Sequence, residues 1–223
     1  MTDTIGAVGR TRGTYAKTAA KRIAILDAAL EVFAESGYRA GSLREVATRV
    51  GMSEAGLLHH FANKGVLLQA VLDHRDERSR AVVDFDHEDG RVGLRGLISL
   101  ALYNQSIPGV VELYCTLSAE ATAPAHPAHA YFVNRYAYVR RSVGETFTRL
   151  REAGRLRADV DPARAAIATV AFMDGLQVQW LLDRDAVDMA HELAGLFDSM
   201  VDFGEGESAM TGVVVIRREE DAA

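Results

Sequence analysis

The sequence of 223 residues contains little cysteine and little proline, and both shortages limit what it can be. Its single cysteine, Cys115, excludes a disulfide within the chain and fits a reducing cytoplasm. The four prolines and the scarcity of long polar runs favour a helical protein with short loops. No apolar run reaches the roughly 20 residues that cross a bilayer, and residues 1–22 lack the apolar core of a signal peptide. We therefore expect an all-α protein of the cytoplasm with no membrane partner.

The residue patterns of common catalytic and metal sites are also missing. The sequence has no glycine-rich phosphate loop and no nucleophile with a base at usable spacing. His59 and His60 are adjacent, so on a helix they point about 100° apart and do not share a ligand from one face. His126 and His129 lie on either side of Pro127 at a predicted helix start, where the geometry does not favour a metal site. We expect no catalytic residue, no metal and no cofactor.

Negative charge dominates the chain as a whole but not its first part. The net charge is −6, yet residues 1–64 hold nine Lys and Arg against six Asp and Glu, and the remainder holds sixteen against twenty-five. The basic groups within residues 1–22 are Arg10, Arg12, Lys17, Lys21 and Arg22. A basic end on an acidic body is typical of a protein with one nucleic-acid-facing module, and equally of a solvated basic tail.

Apolar spacing predicts a first helix that begins at Thr18. Its apolar residues recur every three or four positions, which places them on one helix face. They are Ile23, Leu26, Leu30 and Phe33. Gly37 is a natural stop, because glycine enters the left-handed region without steric cost.

Two short helices and a longer one follow. Ser42 and Glu45 have the spacing of a capping box at the start of the second helix. Ser53 is placed to cap the third helix, and Asn63 to cap a fourth that runs toward Asp84. Two short helices joined by a turn that contains glycine predict a helix-turn-helix.

This region carries a family resemblance. The segment "SLREVATRVGMSEAGLLHHFANKGVLLQAVLDHR" resembles the DNA-binding domain of TetR-family transcriptional regulators, and the likeness covers about residues 20–72. The positions that match the family pattern are Ser42, Val46, Ala47, Gly51, Met52, Ser53, Leu57, His60, Phe61 and Lys64. Leu58 departs from it, since the family usually has a tyrosine there that contacts the DNA backbone. We expect Leu58 to pack or to touch a thymine methyl, and His59 and His60 to supply polar contacts instead.

The resemblance implies a set of DNA-contacting residues. They are Ser42, Arg44, Ser53, Glu54, Ala55, Gly56, Leu58, His59, His60 and Lys64. Arg44 is suited to guanine, which it meets with two hydrogen bonds. Lys64 would meet a phosphate, and the basic residues before Thr18 would follow the backbone or enter the minor groove as a loose arm.

Beyond the polar segment near residue 90, the pattern predicts five more helices, at about 91–106, 109–122, 128–153, 162–183 and 185–203. We divide the chain into a flexible basic arm (1–17), a helix-turn-helix domain (18–72), a ligand-binding and dimerisation domain (73–203) and a mobile tail (204–223). The run "VVVI" in that tail has the composition of a short strand.

The resemblance implies that the larger domain dimerises and binds a small molecule. A narrow apolar stripe on the final helix, together with the preceding helix, which is apolar almost all round, predicts a four-helix interface between two copies, although a monomeric core would show the same pattern. The predicted interface residues are Met189, Leu193, Leu196 and Met200. The predicted ligand-binding residues are Tyr103, Tyr114, Phe132, Tyr136, Met173, Asp174, Gln177 and Trp180. Each of these is individually more typical of a core, and Asp174 is also suited to a structural hydrogen bond.

Taken together, these features predict a homodimeric regulator that binds double-stranded DNA at a palindromic operator, acts as a repressor and is released by a small-molecule effector. Two alternatives remain: an all-helical enzyme, and an architectural DNA-binding protein that takes no ligand. The missing catalytic patterns weigh against an enzyme. The size of the larger domain weighs against an architectural protein without a ligand.

Overall fold

The computed structural model describes residues 9–215, with the side chains described from Lys17 onward. Within that range the chain forms helices joined by turns, and the β pairing found there is a single isolated bridge between Leu156 and Val201. The helices are α1 (Gly9–Ala40), α2 (Leu43–Arg49), α3 (Glu54–His60), α4 (Lys64–Val82), α5 (Gly90–Gln105), α6 (Pro108–Glu120), α7 (His129–Glu152), α8 (Pro162–Leu182) and α9 (Met189–Asp198). The predicted all-α class is confirmed.

Helix α1 begins at Gly9 rather than at Thr18, so part of the predicted basic arm is helical. Residues in this stretch, such as Ala16 and Lys17, are good helix formers and no proline interrupts them. The side chains of Arg10 and Arg12 lie outside the described part of the chain. At its other end α1 breaks at Gly37, whose φ of 73° and ψ of 161° are not helical.

Three polar side chains fix the starts of the next helices. Glu45 N donates to Ser42 Oγ at 3.1 Å, Gly56 N donates to Ser53 Oγ at 3.1 Å, and Val66 N donates to Asn63 Oδ1 at 3.0 Å. All three predicted caps are confirmed. The carboxylate of Glu45 pairs with Arg49 one turn later instead of reaching back to the cap.

The chain separates into two compact units, with the division after His74, two residues beyond the predicted boundary at Leu72. Helix α4 is continuous through this point. In the first unit, α1 packs on α2 and α2 on α3. The completely or almost completely buried side chains of this unit include Ile25, Phe33, Val46, Leu57, Phe61, Leu67 and Leu68.

In the second unit, α7 packs along α8, and α5 packs against both α7 and α9. Phe147 of α7 and Phe197 of α9 meet edge to face, with ring centroids 6.4 Å apart, at the centre of this core. Pro108 and Pro162 open α6 and α8, where the missing backbone N–H costs no helical hydrogen bond.

Helix α9 and the residues just after it contain the predicted dimer-seam residues. Asp188 caps it by accepting from Ala190 N at 3.0 Å, so the helix starts later than predicted. Met189 and Leu193 are at most 2% exposed, and Met200 is 9% exposed. Leu196 is half-buried and packs on the same core. The stripe faces the core of its own chain, which is the alternative that the sequence left open.

The predicted mobile tail is also corrected for the residues that the structure describes. Ala209 is fully buried, and its backbone N donates to Asp198 Oδ1 at 2.7 Å. Arg95 of α5 forms an ion pair with Glu207 at 2.9 Å. This segment therefore packs on the second unit through at least residue 209. The described valines of "VVVI" are not in a strand, and Ile216 lies outside the described residues.

Among the described residues, α8 is long and apolar enough to cross a membrane by length and composition alone. Packing within the second unit accounts for part of that composition. Leu176 and Trp180 are buried in the core of the second unit, where α8 contacts α6, α7 and α9.

Candidate DNA-contacting surface and ligand cavity

Helices α2 and α3 are held at a fixed angle by a tight turn. Gly51 sits in this turn with φ of 64°, a value that favours glycine over any other residue. Met52 N donates to Ala47 O at 2.9 Å across the turn. Leu57 then fixes α3 to the unit, since it is fully buried while its neighbour Leu58 is 39% exposed.

One face of α3 is open to solvent. Its exposed residues are Glu54, Ala55, Leu58 and His59, with Gly56 and His60 partly covered. Ser42 and Arg44, at the start of α2, are exposed as well. Gly56 lies close to the preceding turn, because a Cβ at this position would stand 3.3 Å from both Met52 Cε and Ser53 Oγ. The predicted DNA-contacting residues on these two helices are therefore mostly accessible, and their contacts with DNA stay a prediction.

Basic residues of α1 brace this region. The Lys21 ammonium donates to Val50 O at 2.6 Å, at the end of α2. The Arg22 guanidinium lies over the ring of Phe61, 4.3 Å from its centroid. Arg49 forms ion pairs with Glu31, Glu35 and Glu45, and its hydrogen bond with Glu35 lowers the pKa of that carboxyl. These cations position the helices, whereas Arg44 makes no ion pair within the described part of the chain.

Lys64 is placed differently from the prediction. Its ammonium donates to Arg39 O at 3.0 Å, beyond the break in α1, and lies 4.7 Å from the centroid of the Tyr38 ring. Partial burial lowers the pKa of Lys64. The long side chain thus ties α4 to the end of α1, and its predicted phosphate contact would require it to leave these partners.

The histidines do not form a metal site in the described residues, where no group of three or more potential ligands comes together. His59 and His60 are stacked edge to face, with ring centroids 6.2 Å apart. His129 Nδ1 lies 2.8 Å from Ala121 O, and His126 Nε2 lies 3.6 Å from a carboxylate oxygen of Glu120. The latter two histidines bridge the turn between α6 and α7.

The second unit contains a cavity between the second half of α4 and helices α5 to α8. Its apolar wall comes from several elements: Val83, Phe85, Leu97, Leu100, Val139, Val170 and Met173. The polar lining comes mainly from α4, α7 and α8: Arg75, Ser79, Arg80, Asn104, Tyr114, Arg135, Tyr136, Tyr138, Asp174 and Gln177. An apolar pocket with a few converging polar groups is the usual form of a small-molecule site.

A buried charge cluster lies on one side of this cavity. Arg135 pairs with Asp76 at 2.8 Å and donates from Nε to the Tyr114 hydroxyl at 2.8 Å. Arg75 lies over the ring of Tyr114, 4.1 Å from its centroid. Arg75 is 7% exposed and Asp76 is 3% exposed, so the two charges are almost fully removed from water.

A second polar pair lies on α7 and α8. The Tyr136 hydroxyl donates to Asp174 Oδ2 at 2.8 Å. Burial raises the pKa of Asp174, although this hydrogen bond opposes the shift. Nearby, Cys115 Sγ lies 3.7 Å from Gln177 Oε1, and burial raises the pKa of the thiol to about 11. Cys115 is therefore a protonated, partly buried thiol, and Asp174 both makes a structural hydrogen bond and lines the cavity.

The cavity brings together five of the eight predicted ligand-binding residues: Tyr114, Tyr136, Met173, Asp174 and Gln177. Three do not line it. Phe132 packs between Tyr114 and Tyr131, Trp180 is buried in the core, and Tyr103 packs against that core.

Sequence reasoning missed Arg75, Asp76 and Arg135, which supply the strongest charges near the cavity. In the sequence they are ordinary charged residues of long helices, and only the packing of α7 beside α4 makes them buried. The apolar residues that flank Arg135 (Phe132, Tyr136 and Val139) were the one available signal.

A helix-turn-helix with an exposed third helix, followed by a helical unit with a polar cavity, defines a DNA-binding protein of the regulator class. The model described as "Bacterial regulatory proteins, tetR family" matches residues 25–71. The model described as "BetI-type transcriptional repressor, C-terminal" matches residues 108–201. Together they account for most of the chain, which belongs to the TetR family of transcriptional regulators.

Individual relatives agree. The transcriptional regulator TtgR of Pseudomonas putida is 25% identical over 203 residues, which are 86% of this chain and 94% of that protein. A TetR regulator structure from Haloarcula marismortui is 20% identical with a TM-score of 0.71, covering 82% of this chain and all of that one. A complex of triclosan with SmeT, the Stenotrophomonas maltophilia repressor, is 21% identical with a TM-score of 0.65, covering 83% and 93% of the two chains. The prediction of a regulator rather than an enzyme is confirmed.

Proposed function

We propose that this regulator is a cytoplasmic repressor that binds a palindromic operator as a homodimer and leaves it when a small molecule occupies the cavity of the second unit. The observation that carries the proposal is helix α4. Its first half belongs to the helix-turn-helix unit, and its second half supplies Arg75, Ser79 and Arg80 to the cavity wall. A ligand that displaces these residues would act on the same continuous helix that begins in the DNA-binding unit, and the two binding events would then be coupled as reciprocal free energies.

The open face of α3 supports the DNA-binding part. Small residues at its start, Ala55 and Gly56, allow close approach to a major groove, and Arg44 lies at the start of the neighbouring α2. One such helix reads few bases, whereas two related by a two-fold axis read a palindrome at half-sites about one helical turn apart.

A face of α8 supports dimerisation in place of the stripe on α9. Ile167, Val178 and Leu182 are 57%, 48% and 83% exposed. Ala171 and Gly175 lie between them on the same face, at spacings of three or four residues. A row of large apolar residues interrupted by small ones lets two helices approach closely, and a second copy would remove this row from water. We propose that α8 pairs with α8 of a second copy.

Operator binding is tested in two steps. Genomic fragments bound by the purified full chain are selected, and the most enriched fragment is then footprinted at two salt concentrations. We expect protection of one palindrome that weakens with salt, because phosphate contacts release counterions. Selection of no common sequence would reject the repressor proposal and favour an architectural role.

The dimer is tested by sedimentation of a Val178→Asp, Leu182→Asp variant. We expect this variant to be monomeric, since each carboxylate would be buried against the partner helix. Val133→Asp is the matched control, because Val133 is 54% exposed but lies on α7. A dimer that survives the double substitution would place the interface elsewhere.

A further inference from the structure

We propose that the effector is a small organic anion, with a carboxylate or equivalent acidic group held by Arg75 and an apolar body lying along the cavity wall. This inference rests on the proposed function of the cavity as the effector site, and it adds the chemical class of the ligand.

The cation that recognises the acid is Arg75. It lines the cavity, its side chain is 9% exposed, and its Nη1 has no hydrogen-bond acceptor among the described residues. The nearest carboxylate oxygen is Asp76 Oδ1, which lies 3.8 Å from Nη1 and so beyond hydrogen-bonding distance. Buried donors in proteins are nearly always satisfied, so an unmatched guanidinium nitrogen beside a cavity points to an acceptor that arrives with the ligand.

The neighbouring charges do not satisfy Arg75. Asp76 Oδ1 already forms a close ion pair with Arg135 Nη1 at 2.8 Å, although this contact lacks the geometry of a hydrogen bond. The Tyr114 hydroxyl accepts from Arg135 Nε at 2.8 Å and offers Arg75 only the face of its ring. Two buried guanidiniums therefore share one close carboxylate. An anionic ligand would complete this set with a charge-assisted hydrogen bond, and the planar guanidinium matches the geometry of a carboxylate.

The remaining carboxylate near the cavity does not reverse this preference. Asp174 accepts from Tyr136, and its burial raises its pKa, so the charged form is disfavoured there. A cationic ligand would meet the two arginines without a free buried carboxylate to offset them. The cavity lining also includes Leu97, Leu100 and Val139, which offer an apolar surface for a hydrocarbon body.

The test uses three probes with the same hydrocarbon chain: hexanoate, 1-hexanol and 1-hexylamine. Their dissociation constants for the full-length protein are measured by calorimetry without DNA. We expect hexanoate to bind at least about tenfold more tightly than the other two, the order of effect of one charge-assisted hydrogen bond. Equal or tighter binding of the alcohol or the amine, or no binding of hexanoate, would overturn the proposal.

An Arg75→Met variant sharpens the assignment. We expect it to lose the preference for hexanoate and to keep the affinity for 1-hexanol within about threefold, because the apolar wall is unchanged. Arg141→Met is the matched control, since the Arg141 side chain is 67% exposed on α7 and should leave all three affinities unchanged. If the Arg75 variant keeps the preference, another group holds the acid and the proposal fails.

The ligand class and the repressor proposal can fail separately. Binding of the probes needs no DNA, and fragment selection needs no ligand. A selected palindrome with no preference for hexanoate would overturn only the ligand class. A preference for hexanoate in a protein that selects no sequence would support the cavity chemistry and reject the operator.

Discussion

The two units treat their charged side chains in opposite ways. In the first unit, Arg49 meets Glu31, Glu35 and Glu45 at the surface, and these carboxylate side chains are between 41% and 62% exposed. In the second unit, Arg75, Asp76 and Arg135 have side chains no more than 13% exposed. Both clusters join different helices, but only the second is removed from water.

The surface cluster and the buried cluster therefore suggest different roles for their charged side chains. A surface pair costs little to form and contributes little, because water solvates either partner when the pair opens. A buried cluster carries a large desolvation cost and is weak evidence for stability, so its position beside the cavity agrees with the proposed role in ligand recognition. In the first unit the groups proposed to contact DNA lie instead on the open face of α3, where they are exposed to solvent.

The largest effect is expected for Asp76→Asn, which leaves the buried Arg75 and Arg135 without their carboxylate. We expect a loss of about 3–5 kcal/mol in the free energy of unfolding, the usual result of breaking a buried pair from one side. Urea denaturation measures it. Glu145→Gln breaks the surface pair with Arg141 on α7 and should change the stability by less than about 1 kcal/mol. If both substitutions change the free energy of unfolding by a similarly small amount, the buried cluster contributes no more to stability than the surface pair.

The next largest effect on stability is expected at one of two adjacent leucines of α3. Leu57→Ala removes a fully buried side chain and should destabilise the first unit by about 2–5 kcal/mol. Leu58→Ala removes a side chain that is 39% exposed and should change stability by about 0.5 kcal/mol or less, while weakening operator binding. Thermal unfolding and fluorescence anisotropy with operator DNA measure the two quantities. An Leu58 variant with unchanged affinity would remove this residue from the DNA contact set.

Removal of Arg44 should affect binding without affecting folding. We expect Arg44→Ala to weaken operator binding by about 1–3 kcal/mol if the guanidinium meets a guanine, and to relax selectivity at one base pair. Gel-shift titration against single-base operator variants tests this. Uniform weakening across all variants would assign Arg44 to a phosphate instead.

The smallest effect is expected at the surface cluster. The pKa of Glu35 is lowered by its hydrogen bond with Arg49, so its contribution is present above the unfolded-state pKa and lost as the pH falls through the lower folded-state pKa. Glu35→Gln should therefore lower the stability slightly at neutral pH and leave it unchanged at strongly acidic pH, which flattens the stability–pH curve between them. Equilibrium unfolding across the acid range measures the curve, and added salt should reduce the difference from the parent protein. A salt-independent difference would indicate that the pair is not solvent-screened.

The candidate DNA-contacting surface was largely predictable from the sequence. The caps at Ser42, Ser53 and Asn63 and the turn at Gly51 involve atoms only a few residues apart, so their spacing is visible in the sequence. It was harder to predict that Leu57 is buried and Leu58 exposed. Both residues are apolar, and only the packing of α3 decides which of them is covered.

The cavity and the dimer face were less predictable. The sequence predicted a dimer interface formed by the last two helices together, but the apolar stripe of α9 packs largely into its own core, and the exposed apolar row lies on α8. Periodicity identifies a buried face without saying which partner buries it.

The sequence alone determined the caps of α2, α3 and α4, the helix-turn-helix and the resemblance to the TetR family, since these depend on residue types and spacings within short segments of the chain. The tertiary structure decided which charges lose contact with water and which apolar rows remain exposed. Arg135 lies on α7, far along the chain from Asp76 on α4, and only the packing of these helices puts the two side chains 2.8 Å apart. Burial is a property of that packing, so the chemistry of the cavity emerges only once the helices are assembled.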